Sequence, residues 1–258
     1  MAERADRHRL YQRAVQGVEA EIDFVDEVFR TLRGRKARRL REDFCGTAFT
    51  SCEWVRRRRD NIAIGVDIDP QVLEWGRSHN IARLEPRIAR RLELVCGDVR
   101  SVVTEPIEVV LAMNFSYWCF KERAGMRAYF AHVREQLARE GLLILDAYGG
   151  YDAHRVMTER TDHRNFTYVW DQAYYNPIDG NVINHIDFRF PDGSRLRRAF
   201  TYDWRLWTLP ELREILEEAG FKRSIVYWQG SEEDEDEFVA TERGEPDAGW
   251  ICHIVAEK

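Results

Sequence analysis

Three residues early in the chain have the types and spacing to hold a nucleoside. Glu42 ends the first expected strand, Gly46 follows where the backbone must bend close to a ligand, and Asp67 ends the next strand 21 residues past that glycine. In a strand–turn–helix–strand unit, this spacing aims the second carboxylate at ribose hydroxyls.

The surrounding pattern supplies such a frame. Apolar residues recur at helical spacing from Tyr11 to Leu32, which predicts one amphipathic opening helix. Short apolar strands are expected at Arg39–Cys45, Asn61–Asp67, Leu92–Cys96, Ile107–Asn114 and Gly141–Tyr148. Helices are expected between them at Ala48–Arg58, Pro70–Ala82 and Glu122–Arg139, the second opened by Asp69 as cap and Pro70 at the first helical position. This alternation describes an α/β, doubly wound parallel sheet. Past Tyr148 the period becomes two, in three runs around Trp170, Phe188 and Phe200, with Asp179-Gly180 and Asp192-Gly193 as hairpin turns. A three-stranded antiparallel insertion is therefore expected after the fifth strand. Thr208 and Gly220 bracket a capped helix, and strands at Lys222–Gln229 and Trp250–Glu257 close the chain around an acidic, mobile loop from Ser231 to Pro246. The division expected is a helical cover at 1–38, a nucleoside-binding domain at 39–150 and 205–258, and an insertion at 151–204 acting as a substrate lid.

Composition narrows the partners. A chain of 258 residues can bury a full core, and its five scattered cysteines support neither a disulfide framework nor a zinc site, so no metal is expected. The charged N-terminus and the lack of a run of roughly 18 apolar residues point to a cytoplasmic protein without membrane contact. Basic residues cluster at Arg33–Arg41 and Arg56–Arg59, but a net charge of −6 argues against non-specific nucleic-acid binding. Homo-oligomerisation is left open.

The motifs, taken in order, resemble the class I S-adenosylmethionine-dependent methyltransferases over nearly the whole chain. Glu42-Asp43-Phe44-Cys45-Gly46-Thr47-Ala48 is similar to the first motif, D-x-A-C-G-T-G, and Gly65-Val66-Asp67-Ile68-Asp69-Pro70 to the second. Gly97-Asp98-Val99 resembles the third, and Leu209 to Phe221 the late helix ending L-x-x-x-G-F. The resemblance implies a Rossmann-like seven-stranded methyltransferase sheet with S-adenosyl-L-methionine as cofactor. It places Glu42 on the cofactor's ammonium group, Gly46 and Thr47 along the turn, Asp67 on the ribose, Ile68 on one adenine face, and Asp98 and the Val99 N–H on the adenine edge. Two residues depart from the motif. Phe44, usually small, is expected to narrow the space beside the methionine portion, and Ala48 replaces a glycine, which suits a residue with helical dihedrals. A dinucleotide site would need G-x-G-x-x-G to receive a pyrophosphate, and a carboxylate beside a single glycine suits an ammonium better.

Asn114 falls where this family places residues facing the methyl group, and Asn114-Phe115-Ser116-Tyr117 resembles the ends of the N-P-P-Y signature of amino-methylating relatives without its prolines. Asn114 and Tyr117 are thus the candidate catalytic residues, with Asn114 also beside the cofactor. Tyr11, Tyr148, His154, Trp170 and His185 are candidates for substrate binding, because the opening helix, the fifth strand and the insertion converge on the strands' carboxyl edge. His185 alternates with Asp187 and Arg189, opposite Ile186 and Phe188, and can be solvated there. The leading expectation is methyl transfer to N or O of a small molecule by in-line displacement. The alternatives are a protein or RNA methyltransferase, and a catalytically silent binding module.

Overall fold

The computed structural model describes residues 1–229 and 238–258. In chain order the helices and strands are α1 (Arg7–Ala14), α2 (Val18–Arg33), β1 (Arg39–Asp43), α3 (Phe49–Arg57), β2 (Ile62–Asp67), α4 (Pro70–His79), α5 (Pro86–Ala89), β3 (Leu92–Cys96), β4 (Ile107–Ala112), α6 (Arg123–Gln136) and β5 (Leu137–Gly149). There follow β6 (Met157–His163), β7 (Phe166–Tyr175), β8 (Asn181–Arg189), β9 (Arg195–Arg205), α7 (Leu209–Glu218), β10 (Arg223–Gln229), β11 (Phe238–Ala240) and β12 (Trp250–Glu257).

The described residues form an eight-stranded sheet in the order β11-β10-β12-β5-β4-β1-β2-β3. β3, β2, β1, β4 and β5 run parallel, and β12, β10 and β11 are joined antiparallel. Strand order reverses between β1 and β4, so their carboxyl ends open a crevice at a topological switch point. The sheet is buried on both faces, which is why β2 and β4 read as largely apolar runs, whereas β1, Arg-Leu-Arg-Glu-Asp, buries polar residues that are paired within the fold. Ile22, Phe29, Trp54 and Ile144 share one core layer, while Met126, Phe130, Leu145 and Ile215 share another. The eighth strand, β11, corrects the seven expected; the acidic stretch that hid it falls partly at 230–237, outside the described residues, where the expected mobility also lies.

Two further expectations are corrected. The opening helix is two helices, because Val15 leaves helical dihedrals (φ −121°, ψ −37°) and Gly17 caps α2 with φ −92° and ψ 57°. Both helices bury one apolar stripe, and the shared period ran across the break. The insertion is a four-stranded antiparallel sheet, β6-β7-β8-β9. β6 (Met-Thr-Glu-Arg-Thr-Asp-His) is an exposed edge strand and shows no apolar alternation to read. The hairpin turns hold, with Gly180 at φ 73° and Gly193 at φ 80°, and Thr208 with Glu211 completes a capping box on α7.

A buried ion pair fixes the loop after β3. Arg41 donates to Asp43 at 2.6 Å and to the carbonyls of Val99 and Val102, while the Tyr129 hydroxyl donates to the second Asp43 oxygen. Among the described residues no helix is long and apolar enough to cross a membrane, and no cluster of His, Cys, Asp or Glu suits a metal ion.

Candidate active site

The turn leaving β1 is set by backbone shape. Phe44, Gly46 and Ala48 have φ of 56°, 52° and 54°, so alternate residues are left-handed. A side chain there costs about 1–2 kcal/mol, and the turn carries that strain at two of three positions. Ala48 therefore does not have right-handed helical dihedrals; it caps α3 at φ 54° and ψ 36°. The Phe44 ring packs 5.8 Å from Phe120 and 5.9 Å from Tyr129, and it does not line the cavity described below.

Asp67 ties this turn to β2. One carboxylate oxygen accepts the Gly46 N–H at 2.8 Å and the other the Asp69 N–H at 2.9 Å, leaving a lone pair on each for further donors. Burial raises its pKa and the backbone donors oppose that shift. Ile68 beside it is 70% exposed, an apolar side chain open at the strand end. Asp98 is held by Arg100 through its guanidinium at 2.6 Å and its N–H at 2.9 Å, and the guanidinium keeps the carboxyl below its ordinary value. An adenine amino group would have to compete with Arg100 for it. Val99 is buried, with its carbonyl fixed by Arg41.

Glu42 lies against α3. Its Oε2 accepts the Ser51 N–H at 2.9 Å and the Ser51 hydroxyl, and Oε1 has no donor among the described residues. Burial pushes this carboxyl up to about 8, with Ser51 opposing and Glu21 and Asp67 adding repulsion. Thr47 accepts from Gln12 at 2.8 Å, so α1 reaches the turn directly. Gln12 and Glu21 carried no motif, and only the fold brings them here.

The carboxyl end of β4 continues the site. Asn114 and Phe115 are also left-handed, at φ 57° and 56°, and their N–H groups donate at 2.7 and 2.9 Å to the two oxygens of Asp146 on β5. Burial lifts Asp146 to about 7, the two N–H donors oppose the shift, and Glu21 adds to it. Sequence reasoning missed Asp146, although an acid within Leu142-Leu143-Ile144-Leu145-Asp146-Ala147 was a signal in itself.

A cavity of about 360 Å³ opens beside Asn114 and Phe115. Tyr11 of α1, Val15 just past its end, Tyr148, Trp170 of β7, and Tyr202 and Trp204 of β9 contribute to its wall. Phe115 and Tyr148 meet edge-on at 4.8 Å, and Tyr202 stacks on Trp204 at 4.3 Å. Burial holds the Tyr148 hydroxyl up at about 12, and Tyr202 and Tyr11 also above their ordinary value, so all three are neutral near pH 7.

Thus Tyr11, Asn114, Tyr148 and Trp170 are brought together. Three other candidates are not. Tyr117 is fully buried and donates to the Asp146 carbonyl at 2.8 Å, a core contact behind the cavity. His154 is exposed, edge-on to Tyr175, and off the wall. His185 is buried rather than solvated, on the far face of the insertion, with Nδ1 2.9 Å from the Thr201 hydroxyl.

No protein-family model and no curated protein matches the chain. Solved structures do. A S-adenosylmethionine-dependent methyltransferase from Clostridium acetobutylicum superimposes with a TM-score of 0.72 at 15% identity, covering 97% of this chain and 96% of its own. CalS10, an amino pentose methyltransferase from Micromonospora echinaspora solved with S-adenosylmethionine bound, gives 0.69 at 17%, covering 97% and 95%. DesVI from Streptomyces venezuelae gives 0.69 at 15%, covering 98% of each chain. The chain therefore has the Rossmann-like fold of these methyltransferases.

Proposed function

On the premise of that fold, we propose that the protein is a S-adenosylmethionine-dependent methyltransferase acting on nitrogen or oxygen of a small molecule. The observation that carries this reading is the junction at Asn114: β4 pairs with β1, Leu111 against Glu42, and three residues later Asn114 lines the cavity. A cofactor lying along Glu42, Gly46 and Asp67 would thus point its reactive end at an acceptor held in that cavity. Methyltransferases of amino sugars among the structural neighbours favour a small acceptor.

The residues fit the cofactor. Glu42 is a buried carboxyl that, among the described residues, has one oxygen without a donor and no cation in contact, the partner an ammonium group requires. Asp67 keeps an acceptor on each oxygen for two ribose hydroxyls, and Ile68 offers an apolar face to adenine. The silent-module alternative loses its motive, since Phe44 and Ala48 adopt the left-handed dihedrals a glycine would. When bound, S-adenosylmethionine supplies a methyl group on a sulfonium, which the acceptor's lone pair displaces in line. The chain's work is to hold that line and exclude water, and positioning of this kind contributes on the order of 7–11 kcal/mol. Neutral tyrosine hydroxyls orient the acceptor without acting as bases, and an amine sheds its proton to solvent after transfer.

Titration calorimetry tests the cofactor assignment. Asp67→Ala removes the acceptor of two charge-assisted hydrogen bonds, and S-adenosylmethionine should bind roughly 100-fold more weakly. Equal, tight binding by both proteins would overturn the ribose role.

A further inference from the structure

Charge on the cavity wall has one sign. Asp152 and Glu159 line it, and among the described residues no Lys, Arg or His does, in a chain with 39 Lys and Arg. Arg155 neutralises Asp152 at 2.6 Å, outside the wall. Glu159 forms no ion pair among the described residues, and it stands exposed on β6, opposite Trp170 on β7. Trp170 in turn lies 6.1 Å from Tyr202 and 6.4 Å from Trp204. The Glu159 field reaches inward, since it adds to burial and Tyr202 in raising the Tyr168 hydroxyl.

Resting on the reading that this cavity holds the methyl acceptor, we infer that the acceptor has two ends. A cationic group, such as a protonated amine, sits at the Glu159–Trp170 rim, an apolar ring lies between the aromatic walls, and the nucleophile reaches Asn114. Aromatic faces beside an unpaired carboxylate attract a cation twice over, through the ring quadrupoles and the charge. An anion there meets repulsion and loses its water without gaining a donor. The cation at the rim cannot itself be the methylated atom in its charged form, because an ammonium has no lone pair. Placing the charge at the exposed end and the nucleophile at the deep end resolves that conflict.

The experiment uses three probes sharing one phenol ring: tyramine, neutral 4-ethylphenol and 3-(4-hydroxyphenyl)propionate. Affinities are measured calorimetrically on the full chain, with and without saturating S-adenosylhomocysteine. Tyramine should bind at least tenfold more tightly than the propionate, with 4-ethylphenol between. Glu159→Gln, on an exposed edge strand, should remove tyramine's advantage over 4-ethylphenol and leave 4-ethylphenol unchanged. Equal or tighter binding of the anion, an unaltered ranking in Glu159→Gln, or no binding of any probe at millimolar concentration overturns the inference. Failure of S-adenosylhomocysteine to bind would strike the cofactor reading instead, and the charge ranking on the free protein would still decide this one.

Discussion

The proposed nucleoside side of the site occupies one stretch at residues 42–48 plus the ends of two neighbouring strands, whereas the proposed acceptor cavity gathers its wall from segments scattered between Tyr11 and Ile251. The first is shaped mainly by backbone, through the left-handed residues Phe44, Gly46 and Ala48 and N–H groups aimed at Asp67. The second is shaped by side chains, above all aromatic ones on α1 and the insertion sheet. A backbone-shaped turn needs its residues consecutive, so it persists as a motif. A wall of rings needs only apolar bulk from any element that reaches it, so it leaves no spacing in the sequence. Substitutions on the two sides should then separate cleanly, one changing cofactor affinity and the other acceptor recognition.

Asp146 stands between the two sides, and its loss should have the largest effect after that of Asp67. Its two oxygens accept two N–H groups, whereas an Asn side chain has one acceptor oxygen and presents an NH₂ to the second donor. Asp146→Asn should free the Asn114–Phe115 turn and slow methyl transfer by roughly 100-fold, as misplacement near the reacting atoms does. S-adenosylmethionine affinity should stay within about threefold, since the cofactor turn is untouched. The wild-type rate should also fall as the pH drops below about 7, where this carboxyl takes up a proton, and the variant should lack that limb. A cofactor affinity that falls in step with the rate would dissolve the division between the two sides.

How far the sequence carries follows the same division. Glu42, Gly46, Thr47 and Asp67 are legible because a tight turn constrains residue type position by position. Most of the parallel strands are legible because burial on both faces leaves largely apolar runs, as in β2 and β4, while β1 (Arg-Leu-Arg-Glu-Asp) is legible from the motif that follows it. Asp146 lies inside such a run, where period and composition both read as core, and only the left-handed turn opposite explains a carboxylate there. His185 lies off the wall for a different reason: alternation assigns a strand residue to a face but says nothing of what packs against it. His185 lies on the face opposite Ile186 and Phe188, as its spacing requires, and there it is itself buried rather than solvated, against the Thr201 hydroxyl. β6 is invisible because an exposed edge strand buries nothing to pattern.

A smaller effect sharpens the cofactor side. Free Glu42, held up at about 8, is mostly protonated at pH 7, and an ammonium placed against it favours the carboxylate. Binding at pH 7 should therefore release close to one proton, measurable by calorimetry in buffers of different ionisation enthalpy. Affinity should rise with pH toward about 8 and then fall, because the ligand's own α-amino group, with a pKa of about 7.7–8.0, loses its charge above that. Glu42→Gln should abolish the proton release and weaken binding by about tenfold, while acceptor-probe affinities stay fixed. Unchanged proton release in the variant would place the ammonium elsewhere.

The smallest effect tests whether backbone shape really governs that side. Ala48→Gly removes the cost of a left-handed residue with a side chain, about 1–2 kcal/mol. Against this stands the loss of one buried methyl, about 0.8 kcal/mol, in contact with the cluster of Cys45 and Leu73. The difference favours glycine by between zero and about 1 kcal/mol, readable as a higher denaturant midpoint with an unchanged slope. S-adenosylmethionine affinity should not move, since the turn already has the shape glycine would adopt. Phe44, equally left-handed, offers no such gain, because its ring is anchored on Phe120 and Tyr129 and truncation would forfeit that packing. If Ala48→Gly instead destabilises the protein by more than about 1 kcal/mol, the methyl's packing and not the backbone holds the turn, and the cofactor side would be built from side chains as the acceptor side is.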